Sequence, residues 1–249
     1  MGNANYIPSE MGIMLMNVQA LELVLDFAHK NSKSNFVSST WIKTEVWEKR
    51  GNLELIFPPS KESPFMPVPW DELKDVRFAT MSYRWDADWV ALARCLLEKQ
   101  KKKKDFPQWI WIDIFCIDQE SEDKMGTIKN SHKIYTASSS YNLALCDGYE
   151  LGRSWILFEL AATLRREAER DEESDDDDED NFDFDVLYPM SNSFVSQLQQ
   201  KAETYTFESS QCTVKKDKET IRRFIEKELG SIEEFNEGLF EFIRNGLKL

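Results

Sequence analysis

The sequence predicts an α/β domain with a parallel sheet flanked by helices, and three observations carry that prediction. From Val76 onward, apolar segments of strand length alternate with helical patterns, the order that parallel strands require because each needs a crossover to reach its neighbour. One of these segments, Trp109-Ile110-Trp111-Ile112, is apolar on both faces, as a central strand covered on both sides must be. Polar and charged residues cluster where the apolar segments end, and that is where open α/β sheets bind their ligands.

Taken in order, the chain opens with Ile13 to Ala28. Asn17, Gln19, Glu22 and Asp26 interrupt that stretch, so it is too polar to span a bilayer. Met14, Val18, Leu21, Leu25 and Ala28 recur at spacings of 4, 3, 4 and 3, which predicts an amphipathic helix. Its apolar stripe either docks on the domain or meets a partner helix or membrane surface. Residues 31–75 read as a connector with one or two short strands (Leu53 to Phe57) and a passage through Pro58, Pro59, Pro64, Pro67 and Pro69. Residues 1–75 are thus expected to form an N-terminal helix and lead-in, and residues 76–249 the main domain.

Within that domain the expected elements are a strand over Phe78 to Tyr83, a helix over Trp89 to Lys99, the strand beginning at Trp109, a helix near Asn130 to Ala137 and a strand over Tyr141 to Cys146. A buried helix follows from Ser154, a suitable N-cap, to Arg166. Residues 167–185 hold 13 carboxylates against one Arg and offer little to bury before Phe182, so they are expected to form a disordered acidic insertion. Phe207 to Val214 resembles a strand. A C-terminal helical extension ends the chain: one helix capped by Asp217 and stopped by Gly230, then a second whose start carries the Ser231 and Glu234 capping-box pattern.

Composition narrows the function. The 249 residues carry 45 Asp plus Glu against 31 Lys plus Arg, a net charge of −14, but outside the acidic tract the balance is 32 to 30. Such a chain lacks the basic face needed to neutralise phosphates, and Lys101 to Lys104 is too short a run to supply one, so nucleic acid is not an expected partner. Cysteines at 95, 116, 146 and 212 form no Cys-x-x-Cys pair and no secretory signal precedes them, which points to a reducing, cytoplasmic setting. With only His29 and His132, neither a His-based metal site nor a Ser/His/Asp triad is expected. The phosphate-cradling glycine motifs, the hydrolase nucleophile elbow and the H-E-x-x-H zinc motif are all missing.

Three segments remain as carriers of chemistry. Met81-Ser82-Tyr83-Arg84-Trp85-Asp86 brings a hydroxyl, a guanidinium and an indole to a strand end; Arg84 suits a phosphate or carboxylate and Trp85 a ring, although an Arg–Trp pair also serves as a plain surface salt bridge beside a half-buried indole. In Trp111-Ile112-Asp113-Ile114-Phe115-Cys116-Ile117-Asp118-Gln119, Asp113 follows a buried strand and is flanked by bulky apolar residues, so it is either a site group or the cap of a neighbouring turn. In Arg153-Ser154-Trp155-Ile156-Leu157-Phe158-Glu159-Leu160, Glu159 sits one helical turn after Trp155 on an apolar face. A carboxylate so placed suits acid/base work or the stabilisation of a cationic transition state; pairing with Arg84 or Arg153 is the structural alternative.

Together these segments resemble the heterokaryon-incompatibility family. Its S-Y-x-W is matched by Ser82, Tyr83 and Trp85, its W-I-D-x-x-C-I-x-Q by Trp111, Ile112, Asp113, Cys116, Ile117 and Gln119, and its R-x-W-x-x-x-E-L by Arg153, Trp155, Glu159 and Leu160. The family's I-Y-x-x-A is matched by Ile134 and Tyr135, with Ser138 in place of the alanine. That family is itself similar to TIR domains, flavodoxin-like modules of innate immunity and cell death, whose S-x-W-C-x-x-E-L helix motif is matched here at Trp155, Glu159 and Leu160, with Arg153 and Ile156 departing from it.

The resemblance implies a flavodoxin/TIR-like fold and a signalling module. It further implies that Glu159 is the catalytic residue for cleaving the nicotinamide glycosidic bond of NAD, with Ser82, Tyr83, Arg84, Trp85, Asp113 and Trp155 as substrate contacts. NAD is then a substrate, with no cofactor and no metal. A noncatalytic module that self-associates or recruits a protein partner is the alternative, and a nucleoside transferase-like enzyme using one Glu near a sugar is a third reading.

Overall fold

The computed structural model describes residues 7–31, 37–49, 53–58, 63–122, 130–145, 149–173, 183–187, 192–212, 215–228 and 230–246. The chain divides into two compact units, residues 1–143 with 180–187 and residues 144–179 with 188–249.

The first unit holds most of a six-stranded mixed sheet. Its strands are β1 (Gly12–Asn17), β2 (Phe65–Pro69), β3 (Phe78–Ser82), β4 (Trp109–Trp111), β5 (Ser140–Ala144) and β6 (Asp183–Leu187), in the spatial order β2-β1-β4-β3-β5-β6. The expected α/β architecture is present, and its parallel part is the trio β4-β3-β5, in which Ala79 lies opposite Ile110 on one side and Ser140 on the other. β3 is buried throughout, and Ile110 and Trp111 of β4 are buried as well. The doubly apolar run at Trp109 was thus a sound guide to a central strand.

The N-terminal segment departs from expectation. Gly12–Asn17 is a strand, antiparallel to both β2 and β4, and the helix α1 (Leu21–Asn31) begins only at Leu21. The helical spacing of Met14 and Val18 was therefore coincidental. Ile13 to Met16 are all buried, and pairing with β4 satisfies backbone groups that a helix would have satisfied locally. Leu53 to Phe57, expected as a strand, forms a turn in which the Ile56 and Phe57 N–H groups bond the Leu53 carbonyl at 2.9 and 2.8 Å. The strand lies later, within the proline-rich passage, where β2 carries Pro67 and Pro69 on the sheet edge, the place where a missing N–H is tolerated.

Helices α2 (Ser39–Ile42), α3 (Trp89–Lys102), α4 (Asp113–Cys116) and α5 (Ser131–Ala137) complete the first unit. Asp88 caps α3 by accepting from Val90 N–H at 3.0 Å. α3 carries a lysine inward: Lys99, 8% exposed, donates to Asn142 Oδ1 at 2.6 Å and pairs with Asp185 of β6 at 2.8 Å.

The second unit contains α6 (Ser154–Glu173), α7 (Asn192–Gln200), α8 (Lys215–Glu228) and α9 (Ile232–Glu241). The acidic stretch expected to be disordered is instead partly ordered, since 167–173 continue α6 and 183–185 enter β6; residues 174–182 lie outside the described ones. Of the expected strand Phe207 to Val214, residues 207–212 form none, and residues 213 and 214 lie outside the described ones. Residues 207–209 form a turn and Gln211 makes one isolated bridge to Arg153. Asp217 falls inside the first turn of α8 rather than at its cap. Gly230 adopts φ 83°, the left-handed conformation that ends a helix, and Ser231 caps α9 by accepting from Glu234 N–H at 3.0 Å.

Candidate functional site

β3 and β4 are adjacent and parallel, and their register sets Thr80 opposite Trp111. The chain that leaves each strand at its carboxyl end therefore meets the other: Tyr83 leaves β3 as Asp113 leaves β4. At the start of α4 the Asp113 carboxylate gathers three donors. Tyr83 O–H donates to Oδ1, Ile114 N–H donates to the same oxygen at 2.6 Å, and the Trp85 indole N–H donates to Oδ2 at 2.7 Å. Gln119 closes the loop beneath, its amide donating to the Asp113 carbonyl at 3.1 Å. Burial raises the Asp113 carboxyl above its ordinary value, against the lowering effect of the Tyr83, Trp85 and Ile114 bonds.

Tyr83 is buried, whereas Trp85 is half-buried. Arg84 is also half-buried and forms an ion pair with Asp86, as the surface salt-bridge reading held. Ser82 is buried as the last residue of β3. Trp155 and Glu159 belong to the second unit, both half-buried on α6, with Phe158 buried between them in sequence and edge-on to Trp155 at a ring separation of 5.5 Å. The Glu159 carbonyl accepts from Thr163 O–H at 2.9 Å. Cys116 of the same motif as Asp113 is a core thiol, which burial pushes up to about 12, so it has no nucleophilic role at neutral pH.

A family model described as heterokaryon incompatibility protein (HET) matches residues 78–228. The chain belongs to the heterokaryon incompatibility family. No curated protein and no solved structure matches it. As a HET member it is a heterokaryon-incompatibility, cell-death-type module, and the HET match runs from the first residue of β3 to the last of α8. Among the described residues no helix is long and apolar enough to cross a membrane, and no group of three or more His, Cys, Asp or Glu is placed to hold a metal ion.

Three residues that support the strand-end cluster escaped sequence reasoning. Ser39, Trp47 and Trp89 touch the Tyr83–Asp113 cluster or its neighbours: Ser39 donates to Tyr83 Oη at 3.0 Å, the Trp89 indole N–H donates to Ser39 Oγ at 2.7 Å, and the Trp47 indole N–H donates to the Ile114 carbonyl at 3.1 Å. The usable signal was Ser38, whose side chain caps α2 and thereby hinted at an ordered element inside the supposed connector.

Proposed function

We propose that this HET module hydrolyses the bond between nicotinamide and ribose in NAD, with Glu159 as the catalytic carboxylate. The observation that carries the proposal is the placement of Glu159 on α6 one turn after Trp155, half-buried on a helix whose Ile156, Leu157, Phe158 and Leu160 are buried. A carboxylate on such a helix face can oppose positive charge that develops nearby. In the reaction the C1′–N bond breaks, nicotinamide leaves with the electron pair, and the ribose passes through an oxocarbenium-like state. Water adds at C1′ and loses a proton, giving ADP-ribose. Glu159 would accept hydrogen bonds from ribose hydroxyls and oppose the cationic charge. On the first unit by itself, Arg84 offers its guanidinium to an anionic group and Trp85 its ring to a ligand ring.

The test is NAD turnover by the full chain over a range of protein concentrations, with nicotinamide and ADP-ribose resolved. Glu159→Gln, which keeps the side-chain shape, should lower kcat by at least about 100-fold with an unchanged melting temperature. Equal turnover in that variant would refute the assignment.

The second reading is a noncatalytic, self-associating module in the cytoplasm, and one observation favours it: Tyr83 and Trp85 both direct their side-chain hydrogens to Asp113, within the protein. Absence of NAD turnover at every concentration, together with reversible self-association in sedimentation, would establish this reading instead.

A further inference from the structure

Ser39 lies ahead of the stretch that carries the family match, yet it is wired into the strand-end site. Its Oγ accepts the Trp89 indole N–H at 2.7 Å and lies 3.0 Å from Tyr83 Oη. An ionised carboxylate only accepts, so Tyr83 directs its proton to Asp113, and Ser39, which accepts from the indole, directs its own proton to Tyr83. The chain of bonds has one direction, set by a donor-only group at one end and a carboxylate at the other. Ser39 and Trp89 are fully buried and Tyr83 nearly so, which removes solvent competition along the chain.

The backbone around Ser39 is fixed to the same loops. Thr40 N–H donates to the Trp85 carbonyl at 3.3 Å, Trp89 N–H to the Val37 carbonyl at 2.8 Å, and the Trp47 indole to the Ile114 carbonyl at 3.1 Å. Residues 37–47 therefore back the loops after both β3 and β4.

We propose that Ser39 is a positioning residue of this site: its hydroxyl orients Tyr83 toward Asp113, and the carboxylate held in this way fixes the Trp85 indole for contact with a ligand ring. The ligand part of this inference rests on the role proposed for Trp85; the positioning part does not.

The experiment uses the full chain with 15N-labelled indoles, the Trp85 and Trp89 N–H resonances being assigned from Trp85→Phe and Trp89→Phe. In Ser39→Ala the Trp85 N–H, which Ser39 does not touch, should exchange with solvent about fivefold faster, and Ser39→Thr should restore it. Unchanged Trp85 exchange in a folded Ser39→Ala protein would overturn the proposal. Should that variant fail to fold, Tyr83→Phe deletes the intermediate hydroxyl and must give the same loss of Trp85 protection; unchanged protection there is equally decisive against it. In equilibrium binding of NAD to the full chain, Ser39→Ala should raise Kd about fivefold, with recovery in Ser39→Thr. A loosened Trp85 with unchanged Kd would remove the ligand part alone. Inactive wild-type protein would defeat the catalytic reading, and the exchange rates would still decide the positioning role.

Discussion

Tyr83 and Asp113, thirty positions apart in sequence, share a hydrogen bond because they leave neighbouring parallel strands at the same end. This bond makes one unit of two family motifs. The carboxylate that accepts it also holds the Trp85 indole, so a group in the W-I-D motif sets the pose of a ring in the S-Y-x-W motif. The consequence is measurable first in how stability depends on pH.

Burial, acting against the bonds from Tyr83, Trp85 and Ile114, raises the Asp113 carboxyl above its ordinary value near 3.8. The folded protein thus holds this proton more tightly than the unfolded chain. The associated stabilisation is complete below the ordinary value and is lost as pH rises through the folded one. Asp113→Asn removes that dependence. Urea midpoints measured at pH 5 and pH 7 should show a wild-type advantage over Asp113→Asn that narrows toward pH 7; an advantage that widens would contradict the assignment.

Asp185 behaves in the opposite sense. Burial raises its carboxyl, but hydrogen bonds and charge from Lys103 and Lys99 outweigh that and leave it lowered. Its contribution is present above the ordinary value near 3.8 and is lost as pH falls through the folded one. Removing it also takes a carboxylate partner from Lys99, which is nearly enclosed, while Lys103 is 45% exposed. We expect Asp185→Ala to cost about 2 kcal/mol, tempered by the Asn142 bond that Lys99 keeps, and Lys103→Ala no more than about 0.5 kcal/mol. Denaturant titration of the two variants at pH 7 gives the comparison.

Gly12 lies opposite Pro69 where β1 meets the edge strand, and a Cβ there would fall 2.1 Å from the Val68 carbonyl oxygen, a backbone atom that cannot turn aside. Gly12→Ala should therefore destabilise the fold by about 2 kcal/mol, within the range of overpacking. Gly238, exposed on α9 with nothing within 4 Å of its built Cβ, provides the contrast. Gly238→Ala should stabilise by about 0.5 to 1 kcal/mol because alanine loses less backbone freedom in a helix. Thermal unfolding of both variants should move the midpoint in opposite directions.

Much of the fold was written in local pattern. The doubly apolar run at Trp109 marked a central strand, the alternation from Phe78 marked the parallel trio, and Ser231, Glu234 and Gly230 marked helix ends, because these signals act between residues a few positions apart. Asp113 was legible as unusual, since a carboxylate between bulky apolar residues needs partners. What supplied those partners was not legible. Ile13 to Met16 became a strand because β4 and β2 offered unpaired backbone on either side, and a short apolar run alone does not distinguish strand from helix. Ser39 meets Tyr83 across 44 positions and Lys99 meets Asn142 across 43, contacts that exist only once the sheet has assembled. Local pattern is enough to mark the buried residues and the carboxylates that stand out; which donors reach those carboxylates depends on strand order and register, and local periodicity does not encode either.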